Sequence, residues 1–283
     1  MTRLTTIAGL VALLGASAAR ADVTASVGGD ANPQPTQTQA PNSLILPKGK
    51  LLLDAFLEMN LSSGEAFKPV SLAPDLWYGV TDDLTLGLVH STTGATGFIG
   101  PTGDSLCLTG GSNGCPQFYR DVGVDARYRL MRPLALDVGL YVPYTDPFEL
   151  AIKLGVSGRW TWNRVSVEAQ PSLFIGLANR QPTTKNAMGA EVADGPTNTE
   201  QLNIPITVAY LVAPRVDVAL QPGLELPFTD TGDTWKIPLA IAVRFAATPR
   251  FGIGLAFAFL DLIGGGDDGA DQRSLTLGGT YAF

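Results

Sequence analysis

Every second side chain between Val122 and Leu130 is apolar, and every one between them is acidic, basic or absent. Val122, Val124, Ala126, Tyr128 and Leu130 form one set; Asp121, Gly123, Asp125, Arg127 and Arg129 form the other. A two-residue period is the signature of an extended strand with two unlike faces. From residue 50 onward the pattern recurs in twelve segments: 50–60, 70–79, 83–92, 119–130, 133–143, 149–160, 164–177, 200–211, 215–226, 235–246, 250–260 and 273–283. A chain with such an alternation and so little else must build a sheet, and something must cover its apolar face.

Two observations say what covers it. Segments of about ten residues suit a tilted β crossing of a bilayer. The connections alternate in length: 80–83, 131–133, 161–164, 212–215 and 247–250 are tight, whereas 61–69, 93–118, 178–199, 227–234 and 261–272 are longer, with 144–148 a short exception. Short turns on one side and long loops on the other are the asymmetry of a transmembrane barrel. The expected fold is all-β, a membrane-spanning antiparallel up-and-down barrel of about twelve strands, with short periplasmic turns and longer extracellular loops. Within hydrocarbon the cylinder must close, because an open edge leaves backbone groups unpaired.

The alternation also assigns faces. A cation near the bilayer midplane costs about 2–4 kcal/mol, so charged faces point inward. Leu150, Ile152, Leu154 and Val156 then face lipid, with Lys153, Ser157 and Arg159 inside; Val216, Val218, Leu220 and Leu224 face lipid, with Asp217, Gln221 and Glu225 inside. The inward charges are Asp54, Glu58, Asp75, Asp121, Asp125, Asp137, Glu168, Asp217 and Glu225 against Arg127, Arg129, Lys153, Arg159, Lys236 and Arg244. Of these, Asp125, Arg127, Arg129, Asp137, Arg159, Asp217 and Arg244 are candidate lumen-lining selectivity residues, and the Met131–Pro133 turn sets Arg127 opposite Asp137. A lattice of salt bridges filling the lumen is the equal alternative. Tyr78, Tyr128, Trp160, Tyr210, Phe245 and Tyr281 end the descending strands on the apolar face, the placement of an interfacial aromatic girdle. Pro74, Pro171, Pro205, Pro222 and Pro238 fall inside strands, where each removes a ladder donor and predicts a bulge or break.

The amino terminus reads as an export signal over residues 1–21: Arg3, an apolar run from Ile7 to Leu14, and Ala19-Arg20-Ala21 before Asp22. Residues 22–43 are polar and Pro-rich, a flexible periplasmic tail, and 44–283 form the barrel. Loss of Arg3 and Arg20 takes the formal charge from −7 to −9, which argues against nucleic acid as a partner. Cys107 and Cys115, the only cysteines, are set to close a loop disulfide in an exported chain.

Chemistry is sparse. The single histidine, His90, shares parity with the lipid-facing Leu84, Leu86 and Leu88. Outer-membrane phospholipases carry a lipid-facing His-x-Ser pair, but here the residue two beyond is Thr92, so a rim histidine is the plainer account. The acidic loop 264–271 offers Asp267, Asp268 and Asp271 without the spacing of a calcium hand. No cofactor, metal set or catalytic motif is indicated, and the chain does not read as an enzyme.

The last strand, Arg273 to Phe283, sets Leu275, Leu277, Gly279, Tyr281 and Phe283 on one face. It resembles the closing strand of bacterial outer-membrane β-barrels, in which the final Phe belongs to the assembly signal. That resemblance implies residence in the outer membrane, contact with lipopolysaccharide and recognition by the barrel assembly machinery. The turn Tyr78-Gly-Val-Thr-Asp-Asp-Leu-Thr-Leu-Gly87 looks like transporter families associated with uptake of aromatic or hydrophobic compounds. The expected role is passage or uptake of small solutes; the alternative is a non-conducting barrel that binds a partner through its outer loops, with a lipid-modifying enzyme third.

Overall fold

In the computed structural model, the described residues are 44–62, 67–90, 105–115, 117–146, 148–180, 183–185, 191–193, 200–228, 234–265 and 269–283. The signal segment, the tail through residue 43, Thr92, Asp267 and Asp268 lie outside them.

Twelve staves form one antiparallel sheet. They are β1 (Leu51–Asn60), β2 (Val70–Gly79), β3 (Leu84–Val89), β4 (Val122–Met131), β5 (Leu134–Val142), β6 (Leu150–Trp162), β7 (Val165–Ala169 and Ser172–Ala178), β8 (Gln201–Asn203 and Ile206–Ala213), β9 (Val216–Pro222 and Glu225–Pro227), β10 (Lys236–Ala246), β11 (Phe251–Gly264) and β12 (Arg273–Ala282). Each pairs with its neighbours in sequence, and β12 pairs with β1 from Leu52↔Ala282 to Asn60↔Ser274, which seals the cylinder. A two-residue strand, Leu106–Cys107, adds to the edge of β2, and Thr183–Lys185 pairs with Glu191–Ala193 as a separate hairpin.

The burial pattern is that of a soluble protein turned inside out. Leu140 and Val124 are 52% and 56% exposed, while Lys153 and Asp125 are 1% and 0% exposed. A soluble fold hides the first pair and hydrates the second. Lipid reverses the preference, because acyl chains solvate Leu and Val and exclude ionised groups. The strand β11 states the rule most cleanly: Phe251, Ile253 and Leu255 are exposed, and Ala256 and Ala258 are buried.

The in-strand prolines divide into two kinds. β7 breaks at Gln170-Pro171, β8 at Ile204-Pro205 and β9 just after Pro222, and the β10–β11 register shifts across Pro238. These interruptions neighbour one another: Gln170 N–H donates to the Pro205 carbonyl at 3.1 Å, and Gly223 N–H to the Pro238 carbonyl at 3.0 Å. Pro74, where a break is predicted, instead sits in an unbroken β2. Its main chain faces away from β1, toward a gap beyond the end of β3, so the missing N–H interrupts no ladder.

The interior is filled unevenly. A strap of residues 44–50, just before β1, enters the lumen from the end that carries the short turns. Its Leu46 N–H donates to Thr85 Oγ1 at 2.8 Å, its Ile45 is buried, and its Leu46 joins Leu52, Trp77, Val89, Tyr141 and Phe174 in one apolar cluster. Gly79 makes the approach possible, since a Cβ there would lie 2.1 Å from the Pro47 carbonyl oxygen.

Leu255→Arg, which puts a cation on the lipid face of β11, is expected to cost about 2–4 kcal/mol of folding stability. Denaturant titration of the protein in lipid vesicles measures it; an unchanged midpoint contradicts the facing assigned here.

Candidate functional site

Inside the barrel two walls of different character face each other. On β2 to β7 several inward side chains are large and ionised, set among small ones such as Thr85, Ala135 and Ser157. Arg127 on β4 lies in register with Asp137 on β5, and its Nε donates to Asp137 Oδ1 at 2.6 Å. Ser157 on β6 donates to the other oxygen of Asp137. Lys153 donates to Asp125 Oδ2 at 2.8 Å, and the Tyr141 hydroxyl donates to the same oxygen at 3.1 Å. Rings complete the packing: the Arg127 guanidinium lies 5.3 Å from the Trp77 ring, Lys153 Nζ 5.7 Å from Tyr141, and Tyr141 meets Phe174 edge-on. Desolvating these ions is expensive, and only close pairing with further hydrogen bonds offsets it. Period-two spacing in strands connected by tight turns supplies that pairing, because opposite residues on one face come within contact distance.

On β8 to β12 many inward side chains are small, with Asp217, Gln221 and Arg244 among the larger ones. Ala209, Ala219, Ala240, Ala242, Ala256 and Ala258 form a buried cluster, with Thr276 and Ser274 buried beside it on β12. Small residues leave space. A cavity of about 420 Å³ runs along this wall to the short turns, reaching Pro214, Arg215, Thr248 and Pro249. Leu46 and Pro47 of the strap bound its other side.

The seven candidate lumen residues therefore separate by environment. Arg159, Asp217 and Arg244 line the cavity. Arg159 pairs with Glu168 through Nε at 2.7 Å, and Arg244 Nε donates to Asp217 Oδ1 at 2.6 Å. Asp125, Arg127 and Asp137 are sealed in the packed half. Arg129 is partly exposed and reaches Asp83 of the β2–β3 turn at 3.4 Å. Tyr78, Tyr128, Trp160, Tyr210, Phe245 and Tyr281 are all exposed near the turn-side ends of their strands.

The loop side carries a second cluster. His90 does not face lipid beside Leu88 but is buried, because β3 ends at Val89 and the alternation stops there. Its Nδ1 contacts the Pro74 carbonyl, its Nε2 lies 2.8 Å from the Tyr119 hydroxyl, and its backbone N–H donates to Asp75 Oδ1 at 2.6 Å. Burial lowers the His90 pKa below the ordinary imidazole value, against the raising effect of the Pro74 bond. Glu149, also buried, is pushed up to about 7 by burial and then by the charge of Asp121. Cys107 and Cys115 form a disulfide that closes the loop next to β2. That loop is tied to the next one: Thr145 N–H donates to Gln117 Oε1 at 3.0 Å, and Thr145 Oγ1 donates to the Tyr119 carbonyl at 2.8 Å.

Three features escape a reading of parity alone: the strap, the alanine wall and the burial of His90. Leu44-Ile-Leu46 was a signal for the strap, since an apolar triplet beside a polar tail needs a place to be buried. For the alanine wall the signal was Phe251-Gly-Ile-Gly-Leu-Ala-Phe-Ala-Phe259, where large and small alternate without any charge.

No protein-family model matches this chain, and no curated protein matches it in sequence. Solved structures do match in shape. An outer-membrane channel from Pseudomonas putida F1 superimposes with a TM-score of 0.53 at 12% identity, over 87% of this chain and 99% of that one. The NanC porin gives 0.51 at 13% identity, over 81% of this chain and 98% of that one. The fold is that of outer-membrane channels. At such identities the likeness concerns the path of the backbone, not the residues that line it.

Removing one partner of the buried pair, as in Asp137→Ala, is expected to destabilise the barrel by about 3–5 kcal/mol, since it strands the Arg127 charge. The double replacement Arg127→Met with Asp137→Leu is expected to lose much less. Unfolding from vesicles in denaturant checks this; losses that simply add would contradict it.

Proposed function

We propose that this protein is an outer-membrane channel for passive passage of small solutes, and that the route follows the alanine and glycine wall of β8 to β12. The supporting observation is the cavity of about 420 Å³ on that wall, which reaches the short turns, beside a half-lumen that holds the buried Arg127–Asp137 and Lys153–Asp125 pairs. A barrel whose only task was to hold outer loops has no need of an unfilled half, because small inward side chains forfeit the packing that larger ones would give. In this reading Arg159, Asp217 and Arg244 act on the solute, whereas Asp125, Arg127 and Asp137 hold the wall and Arg129 its rim. The exposed rings from Tyr78 to Tyr281 mark the inner interface, and the Phe283 strand presents itself to the barrel assembly machinery, with lipopolysaccharide around the loop end. The named solved neighbours, a porin and a channel, are consistent with transport.

The chain acts without catalysis in this account. His90, the one histidine, has both ring nitrogens engaged by Pro74 and Tyr119. A second reading, a closed barrel that binds a partner through its loops, draws on the disulfide loop and its tie through Gln117 to Thr145. Planar-bilayer recording separates the two. Discrete conductance steps are expected; Ala256→Phe should shrink them by filling the passage, while Val243→Phe, on the lipid face, should leave them unchanged. Silent bilayers from fully folded protein would favour the second reading.

A further inference from the structure

The chain as a whole is acidic, with a net charge of −7, yet the turn-side cavity has the opposite balance. Its lining holds Lys50, Arg159, Arg215, Arg244 and Arg250 against Asp54, Glu168 and Asp217. Lys50, Arg215 and Arg250 form no ion pair among the described residues. Arg244 commits Nε to Asp217 and leaves its terminal nitrogens without a protein partner among the described residues. Its stem is held flat along the wall: a Cβ at Gly254 would lie 3.3 Å from Arg244 Cγ, so the absence of a side chain there gives the stem its bed. Excess charge of one sign inside low-dielectric walls focuses the field and concentrates ions of the opposite sign.

The rest of the lining is mostly apolar, with the hydroxyls of Ser166, Thr207, Thr248, Thr276 and Thr280 set among it. Phe56 on β1 and Leu46 of the strap stand on one side, and Ala242 and Ala256 lie on the other. None of these offers a hydrogen bond, so a fully hydrated polyanion would gain nothing from them, whereas a hydrocarbon body would gain burial. The volume of about 420 Å³ lies within the rough 300–1,000 Å³ range of small-molecule sites.

We propose that this recess is a binding station for amphipathic monoanions, in which the free nitrogens of Arg244 take a carboxylate and Phe56, Leu46 and the alanine floor take a short apolar body. The proposal rests on the channel reading for its place on a transport route, but binding itself is measured without conductance. A guanidinium meets a carboxylate through charge-assisted, geometrically matched hydrogen bonds, which a neutral head group cannot reproduce.

The test is calorimetric titration of the folded protein in non-ionic detergent, with the heats of empty micelles subtracted, using hexanoate, 1-hexanol and acetate as probes. Hexanoate is expected to bind, with 1-hexanol (the same chain, no charge) and acetate (the same charge, no chain) each weaker by about tenfold or more. Arg244→Gln and Phe56→Ala should each weaken hexanoate by about tenfold. Heat-dependent electrophoretic mobility shows that each variant is folded, and Arg244→Gln combined with Asp217→Asn replaces the single variant if an unpaired Asp217 prevents folding. No hexanoate binding, equal binding of either control, or variants that bind as wild type does would each overturn the proposal. A silent bilayer with hexanoate binding intact would remove the channel reading and leave the station standing.

Discussion

Hydrocarbon offers the backbone no hydrogen-bond partner, and the rest of the structure follows from that. Every N–H and C=O at membrane depth has to find its partner within the protein, which for strands means a closed cylinder. The β12–β1 ladder, nine residue pairs long, is where closure is achieved. Once the sheet is closed, the pleat sends alternate side chains to lipid and to lumen, so one period-two pattern determines both solubility in the bilayer and the chemistry of the interior. The proline interruptions of β7, β8 and β9 are tolerable only because neighbouring strands still exchange bonds across them, as Ile204 N–H does with the Leu224 carbonyl at 2.8 Å.

The interior shows two ways of using the same twelve-stave cylinder. Where inward residues include Asp, Arg, Lys, Trp and Tyr, neighbours meet and bury one another. Where they are mostly Ala, Gly, Ser and Thr, a cavity remains between that wall and the strap. The buried pairs Arg127–Asp137 and Lys153–Asp125 hold one half rigid, and the strap Leu44–Leu46 wedges against it. A passage offset to one wall is the natural outcome, with Arg159 and Arg244 at the boundary between the two regimes.

Most of the fold was legible because alternation is local. Strand limits read from parity lie within a few residues of the observed ones for β1, β2, β5 and β12, and counting back from the Met131–Pro133 turn brings Arg127 to Asp137. What parity does not carry is reach. It says that Lys153 points inward, not that its ammonium stops at Asp125; it says that Ala256 points inward, not that a cavity is left beside it. His90 and Pro74 were misplaced for a related reason. Parity extrapolates a strand past Val89, whereas β3 ends there, so Pro74, still in register with Ala55 of β1, lies beyond the β2–β3 ladder. The strap lies outside any periodic segment, so no alternation announces it.

The account stands most directly on the alternation between lipid and water along a single strand. Nitroxide labels attached through Leu255→Cys and Ala256→Cys, placed one at a time in protein reconstituted in vesicles, report which medium each position meets. Position 255 is expected to be relaxed by oxygen dissolved in the acyl chains, and position 256 by a water-soluble nickel complex. Equal exposure of both positions to one reagent would contradict the inside-out arrangement and, with it, the channel.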